Sequence, residues 1–289
     1  MELSVTLFGL PPEQYVPLAV HADELGYEAV WLGDHLVTPV RFEPNYPYVP
    51  GGGKGRPYDA SVPIVDTFVA LGHIAAVTRR VALGVGVLIL PLREPIAVAR
   101  AAATVQLLSD DRLLLGVGTG WMPEEFAAAG AEFAGRGART DEMLVILRKL
   151  WTGAPVSHDG AHYRFDELQL APPVAPIPIV VGGATPAALR RTALAGDGWF
   201  GPPAAPLDEA LAHAATIERL RLEAGRSEEP FRTWVRLVDP LDRATVERYR
   251  ERGVERLVVG LNTLVPRDAS LAGKLAAFEE AADVVLAGG

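Results

Sequence analysis

The 289-residue sequence contains no cysteine. Disulfides, thiolate metal sites, iron–sulfur clusters and cysteine nucleophiles are therefore excluded together. Positive charge is also in deficit, because 27 Lys and Arg stand against 36 Asp and Glu, a formal net charge of −9. A general nucleic-acid binder normally carries a basic stripe, so we expect no nucleic-acid partner.

Long hydrophobic runs are lacking as well. The longest, residues 81–92, contains Gly84 and Gly86 and falls well short of the ~20 apolar residues that span a bilayer. The first residues show neither a basic region nor a small-residue cleavage site. We therefore expect a cytoplasmic protein with no signal peptide and no membrane partner.

Metal-ligating patterns are weak. Of the six histidines, His158 and His162 are four residues apart, but Asp159 and Gly160 between them favour a hairpin turn over a helical ligand pair. No Gly-x-Ser-x-Gly motif occurs, so a serine nucleophile is poorly supported. We expect no metal site.

What the sequence does contain is a regular alternation of short apolar runs and longer amphipathic ones. Apolar runs without clean period-2 alternation suit parallel strands covered on both faces. The predicted strands are residues 3–8, 29–33, 81–88, 112–117, 177–181, 198–201, 232–238 and 256–260. The predicted helices are residues 12–25, 62–77, 95–108, 123–151, 186–195, 208–224, 244–252 and 271–286. Eight strand–helix units predict an α/β protein, a (β/α)8 TIM barrel forming a single domain over residues 1–289. The alternative is an open doubly wound sheet.

Three segments exceed a minimal barrel. Residues 154–175 predict a hairpin with its turn at Asp159-Gly160, and residues 202–206 follow the sixth strand. Residues 36–61 follow the second strand, on the side where barrel active sites form, and combine glycines with Tyr46, Tyr48 and Tyr58. Aromatic faces exclude water and glycines permit movement, so this loop is predicted to be a lid. Tyr46 or Tyr48 is expected to contact substrate.

Candidate chemistry begins at Asp34-His35, directly after the second strand. An imidazole titrates near neutrality and suits proton transfer, and Asp34 could accept a hydrogen bond from a cofactor. The alternative is a purely structural role, in which Asp34 makes an Asx turn and His35 packs on aromatic residues of the loop.

Glycines follow three strands. Gly116, Gly118 and Gly120 end the fourth, and Gly182-Gly183 end the fifth just before a helix that starts at Thr185-Pro186. Free amides at such a helix start favour an anion, with phosphate the natural candidate and Arg190-Arg191 able to add charge. Gly84 and Gly86 indicate a bulge or a close ligand approach. The alternatives are tight barrel turns, simple helix capping and a crowded interior.

Taken in order, several segments resemble the luciferase-like superfamily, in its deazaflavin (coenzyme F420)-dependent oxidoreductase branch. They are WLGDH at 31–35, LGVGVLILPLREP at 83–95, LSDDRLLLGVGTGW at 108–121, EEF at 124–126, GARTDE at 137–142 and VVGGATPAALRRTALAGDGWF at 180–200. The resemblance covers nearly the whole chain and implies a TIM barrel, usually a homodimer, acting on a small-molecule substrate.

The resemblance also implies site roles. It places the phosphate of the cofactor at Gly182, Gly183 and Thr185, and its ring over a bulge at Gly86-Val87, where relatives often have a non-proline cis peptide. It places Asp34 near the ring and gives His35 the catalytic proton. It assigns Thr119, Gly120 and Glu124 to the phosphate–ribityl end of the cofactor.

One position departs from the family pattern. In the sugar-phosphate dehydrogenase relatives a catalytic acid follows the Gly-Thr-Gly turn, but here the residue is Trp121. A sugar phosphate is therefore not the expected substrate, and Trp121 is expected to shape the substrate site. Two rival functions stay open: an FMN-dependent monooxygenase of the same superfamily, and a flavin- or deazaflavin-binding protein without catalysis.

Overall fold

The computed structural model describes residues 1–48, 55 and 58–286. Its strands are β1 Glu2–Leu7, β2 Ala29–Leu32, β3 Ala82–Val85, β4 Leu88–Ile89, β5 Leu113–Gly118, β6 Val156–Asp159, β7 Arg164–Leu168, β8 Ile179–Gly182, β9 Gly198–Phe200, β10 Arg232–Arg236 and β11 Arg256–Gly260. All but β6 and β7 pair in parallel, and the β3–β5 and β1–β11 pairings close the sheet on itself. The predicted (β/α)8 barrel is confirmed and the open sheet is excluded.

Helices alternate with the barrel strands. They are α1 Tyr15–Leu25, α2 Thr67–Val77, α3 Pro95–Leu108, α4 Pro123–Ala128, α5 Arg136–Trp151, α6 Pro186–Ala195, α7 Leu207–Glu223, α8 Arg243–Glu251, α9 Leu261–Leu264 and α10 Leu271–Val285, with 3-10 turns at Pro12–Gln14 and Leu90–Leu92. In the part of the chain that the structure describes, no helix combines the length and the apolarity needed to cross a membrane.

Three predicted boundaries are wrong. The strand predicted at 81–88 breaks after Val85 and resumes at Leu88, because the cis peptide bond between Gly86 and Val87 turns the chain there. The helix predicted at 123–151 is two helices, separated at Gly130 and Gly135, which both have left-handed φ values near +68°. The helix predicted at 62–77 begins at Thr67, where the Asp66 carboxylate accepts the Val69 amide and caps it.

Aromatic side chains fill the barrel interior. Trp31 packs on Phe200 and Trp234, with ring centroids 4.5 and 5.3 Å away. A Cβ at Gly84 would lie 2.3 Å from the Trp31 ring, so that glycine makes room for the indole. Gly84 therefore fits the crowded-interior interpretation. This packed layer lies beneath the barrel mouth. The barrel mouth is the region around the C-terminal ends of the strands.

The predicted hairpin between the fourth and fifth barrel strands is present as β6 and β7, paired antiparallel. It is fastened to α5 by Glu142, which contacts His158 Nε2 at 3.0 Å and accepts the amides of His162 and Tyr163. His158 therefore holds the hairpin through its ring, and His162 contributes only its backbone amide.

Candidate active site

A histidine–carboxylate pair stands at the end of β2. His35 Nδ1 lies 2.8 Å from one carboxylate oxygen of Glu125, and the Leu36 amide donates to the other oxygen at 2.7 Å. Both side chains are buried. Because the carboxylate accepts the Nδ1 proton, Nε2 is the ring nitrogen left to exchange a proton with a substrate.

Asp34 ties the end of β2 to β4. Its carboxylate accepts from Arg93 Nη2 at 2.7 Å and from the Ile89 amide at 3.0 Å. Burial raises the pKa of Asp34, and the Arg93 charge and the Ile89 amide act to lower it. Both oxygens already have partners, so its first role is to fix the strand end that carries His35.

The turn at Gly86-Val87 borders the mouth, and the glycines around it serve its side chain. Cβ atoms at Gly116, Gly118 and Gly182 would lie 3.2, 2.8 and 2.9 Å from Val87 methyl groups. The glycine series after β5 is thus explained first by close strand packing. Gly120, with φ +75°, is likewise tightly enclosed by Ile89 and Phe126. Thr119 lies between Gly118 and Gly120, at the C-terminal end of β5.

The start of α6 forms a small amide cradle. Gly183 has φ +105°, and the Thr185 hydroxyl accepts the Ala188 amide as the helix cap. The Tyr48 hydroxyl lies 3.2 Å from the position of a Gly183 Cβ, and the Ala184 amide acts to lower the raised pKa of this buried phenol. A phenolic oxygen therefore occupies the place where an anion was predicted.

The expectation that Arg190-Arg191 adds charge to this cradle is wrong for Arg191. Its guanidinium is buried, pairs with Asp141 and donates to the Gly137 carbonyl at 3.0 Å. It joins α6 to α5, while Arg190 lies exposed on α6.

Aromatic rings from the long loop close one side of the mouth. The Trp121 ring lies 6.4 Å from His35, 5.9 Å from Phe42 and 5.3 Å from Tyr46, measured between centroids. Tyr58 lies 5.2 Å from His35. The Trp121 ring is therefore a neighbour of both His35 and Tyr46, and its part in shaping a substrate site stays a prediction. The loop tip, residues 49–54 and 56–57, lies outside the described residues.

Comparison with known proteins identifies the family. Residues 5–281 match the luciferase-like monooxygenase family. The chain belongs to this family. An uncharacterised protein from Mycobacterium tuberculosis is 37% identical over 277 residues, covering 94% of each chain. The F420-dependent glucose-6-phosphate dehydrogenase of Amycolatopsis mediterranei is 34% identical over 194 residues, covering 65% of this chain and 53% of that protein. The crystal structure of the monooxygenase RslO1 from Streptomyces bottropensis matches with a TM-score of 0.77 at 21% identity, over 99% of both chains.

In this luciferase-like barrel, sequence reasoning missed three groups. It assigned Glu124 to the cofactor, but Glu124 accepts the Glu43 amide at 2.9 Å, and its neighbour Glu125 reaches His35. Arg93 lies in the segment LGVGVLILPLREP at 83–95, but the sequence analysis assigned it no role. Arg236 had one available signal: it lies two residues after the buried Trp234 and so shares its face of the strand.

The residues present fit a flavin-type cofactor of the luciferase-like family. A Cβ at Gly183 would crowd the cradle, and the Ala184 amide already meets an oxygen acceptor in Tyr48. Gly182, Gly183 and Thr185 would hold a phosphate once Tyr48 withdraws. The Gly86-Val87 turn faces the same mouth and would support a ring.

Proposed function

We propose that the protein is an F420-dependent oxidoreductase that moves a hydride between the deazaflavin and a small organic substrate. The observation that carries the proposal is the buried His35–Glu125 pair at the mouth, beside the Gly86-Val87 turn. The 34% identity to the F420-dependent glucose-6-phosphate dehydrogenase of Amycolatopsis mediterranei supports the choice of cofactor.

The chain contributes position and proton handling. When bound, the deazaflavin supplies a ring carbon that gives or takes a hydride. Glu125 orients the His35 ring, and Nε2 removes the hydroxyl proton of an alcohol as its hydride departs, or returns that proton in the reverse direction. Trp121, Phe42 and Tyr46 exclude water from the reacting atoms.

Cofactor titration is the decisive test. We expect quenching of protein fluorescence to report micromolar or tighter F420 binding, weaker binding of FMN, and turnover of alcohol or carbonyl substrates with F420. The family description and the RslO1 likeness favour the second candidate, an FMN-dependent monooxygenase. Equal or tighter FMN binding would select that candidate. F420 binding without turnover in a broad substrate screen would select a non-catalytic binding protein.

The proposal includes the homodimer and the cytoplasmic location that the resemblance implies. Light scattering on the purified protein measures the first, and fractionation of the producing cells measures the second.

A further inference from the structure

Arg236 is the last residue of β10, and its position places it in the barrel mouth. Alternate residues of a strand share one face. Trp234, two residues earlier, lies in the barrel interior against Trp31. Arg236 therefore points into the barrel one layer higher, where the strands end.

The surroundings of this guanidinium are aromatic. Its central carbon lies 5.5 Å from the centroid of the Phe200 ring. Tyr46 lies close enough to Arg236 that its phenolate form would raise the pKa of the guanidinium, and Tyr46 in turn packs against Trp121 with centroids 5.3 Å apart. Trp121 extends this surface to His35, so an apolar wall connects the cation with the proton-exchanging group.

Other enclosed arginines of the chain have acceptors, which sets Arg236 apart. Arg93 pairs with Asp34, Arg221 donates to the carbonyls of Arg226 and Glu229, and Arg112 donates to several backbone oxygens. Among residues 1–48, 55 and 58–286, no carboxylate pairs with Arg236. Loss of solvent lowers the pKa of Arg236 to about 10, so the group stays charged at neutral pH.

A half-buried cation without a counter-charge is costly, and an incoming anion relieves that cost. The cofactor phosphate has its own proposed cradle at the end of β8, separated from β10 by β9. The unmatched charge is therefore available to the substrate. We propose that Arg236 anchors the acidic group of an organic anion whose flat apolar body packs against Phe200, Tyr46 and Trp121. This inference rests on the proposed function, because it assigns the mouth to a substrate beside a bound cofactor.

The test uses cofactor-loaded protein and calorimetric titration with matched probes. The anionic probes are benzoate, benzenesulfonate and phenyl phosphate, and the uncharged probe is benzamide. In the wild type we expect at least one anion to bind about 10- to 100-fold more tightly than benzamide, which is the range for a hydrogen bond to a charged group. Arg236→Gln should abolish this preference, and Arg236→Lys should retain part of it.

The control is Arg232→Gln, an exposed arginine at the opposite end of the same strand, which should behave as wild type. The proposal is overturned if none of the three anions binds more tightly than benzamide. Circular dichroism first checks that the Arg236→Gln variant is folded. The proposal is also overturned if this folded variant binds F420 about 10-fold or more weakly, since the arginine then serves the cofactor. If FMN rather than F420 binds, the proposed function fails, and the same anion preference measured with FMN-loaded protein still decides the role of Arg236.

Discussion

At the scale of single residues, the candidate chemistry depends on Glu125. Its carboxylate accepts from His35 Nδ1 and from the Leu36 amide, so one buried side chain sets both the orientation of the ring and the start of the loop. A histidine held in this way keeps one tautomer, which is what a proton carrier needs. The proposed proton-handling role of His35 therefore depends on Glu125, and kinetics and cofactor titration can separate it from a role in holding cofactor.

His35→Ala should lower turnover by ~10²–10⁴-fold and leave cofactor affinity nearly unchanged.

Glu125→Gln should lower kcat about 10-fold or more with little change in cofactor Kd, because the ring loses a charge-assisted hydrogen bond. His73→Ala, on the exposed face of α2, is the matched control. Steady-state kinetics and cofactor titration measure both effects. Lost cofactor binding with an unaffected chemical step would reassign His35 to binding.

Gly183→Asp should abolish binding of F420 and FMN alike. The new side chain would enter a residue with φ +105°, crowd Ala188 and Tyr48, and place a carboxylate in the proposed anion cradle. Gly225→Asp is the control, since that glycine has φ +71° and open space around it. Fluorescence titration of both variants decides the matter. Retained micromolar binding in Gly183→Asp would show that the cofactor phosphate does not bind at this helix start.

At the scale of elements, the described part of the loop at 36–61 lies beside the mouth. Tyr46 bridges to Gly55 across the loop, and Tyr48 reaches the start of α6. Because the Tyr48 hydroxyl accepts the Ala184 amide, the phosphate site proposed at this helix start would require this part of the loop to move. The lid hypothesis made from its composition thus acquires a specific contact.

Hydrogen exchange tests the lid. We expect amides of this loop to exchange fast in the free protein and slowly once cofactor and a substrate analogue are both bound, since the aromatic wall then closes over them. The hairpin of β6 and β7, held by Glu142, should show no such change and serves as the internal control. Slow exchange already in the free protein would make the loop a fixed wall.

The elements also show what sequence alone could predict. Apolar runs located all eight barrel strands, because buried parallel strands leave an unbroken hydrophobic signature. The hydrophobic pattern alone predicted one unbroken strand over 81–88, since glycine is compatible with both a continuous strand and a turn. The family resemblance placed a bulge at Gly86-Val87, and the structure has a non-proline cis peptide there. Glu124 and Glu125 are adjacent on α4, and composition does not say which carboxylate points at His35. Arg236 needed the register of β10, which only the closed barrel defines.

At the scale of the whole molecule, Glu28 links several barrel strands at the end opposite the mouth. It precedes β2 and accepts from Ser4 of β1, from the Trp234 indole of β10 and from Arg256 of β11. One partly buried carboxylate thus joins the first two strands of the chain to its last two. Its loss would leave an indole N–H and a guanidinium without that acceptor.

Glu28→Ala should lower the free energy of unfolding by about 2–4 kcal/mol, the cost of stranding buried polar partners. Glu255→Ala removes a carboxylate that contacts the same Arg256 but is 82% exposed, and should change stability by less than about 0.5 kcal/mol. Urea unfolding followed by tryptophan fluorescence measures both. Equal effects in the two variants would show that the strands do not depend on Glu28.

The Glu125 carboxylate also affects which segments of the chain can be exchanged between related sequences. It contacts a ring from the β2 end and an amide from the following loop, while belonging to α4, about 90 positions later in the chain. The two segments must therefore be exchanged together when related sequences recombine. A chimaera that takes residues 31–48 from a relative without a histidine at position 35 would leave the Glu125 carboxylate without its ring partner. Relatives that lack an acid at position 125 should lack the histidine at position 35.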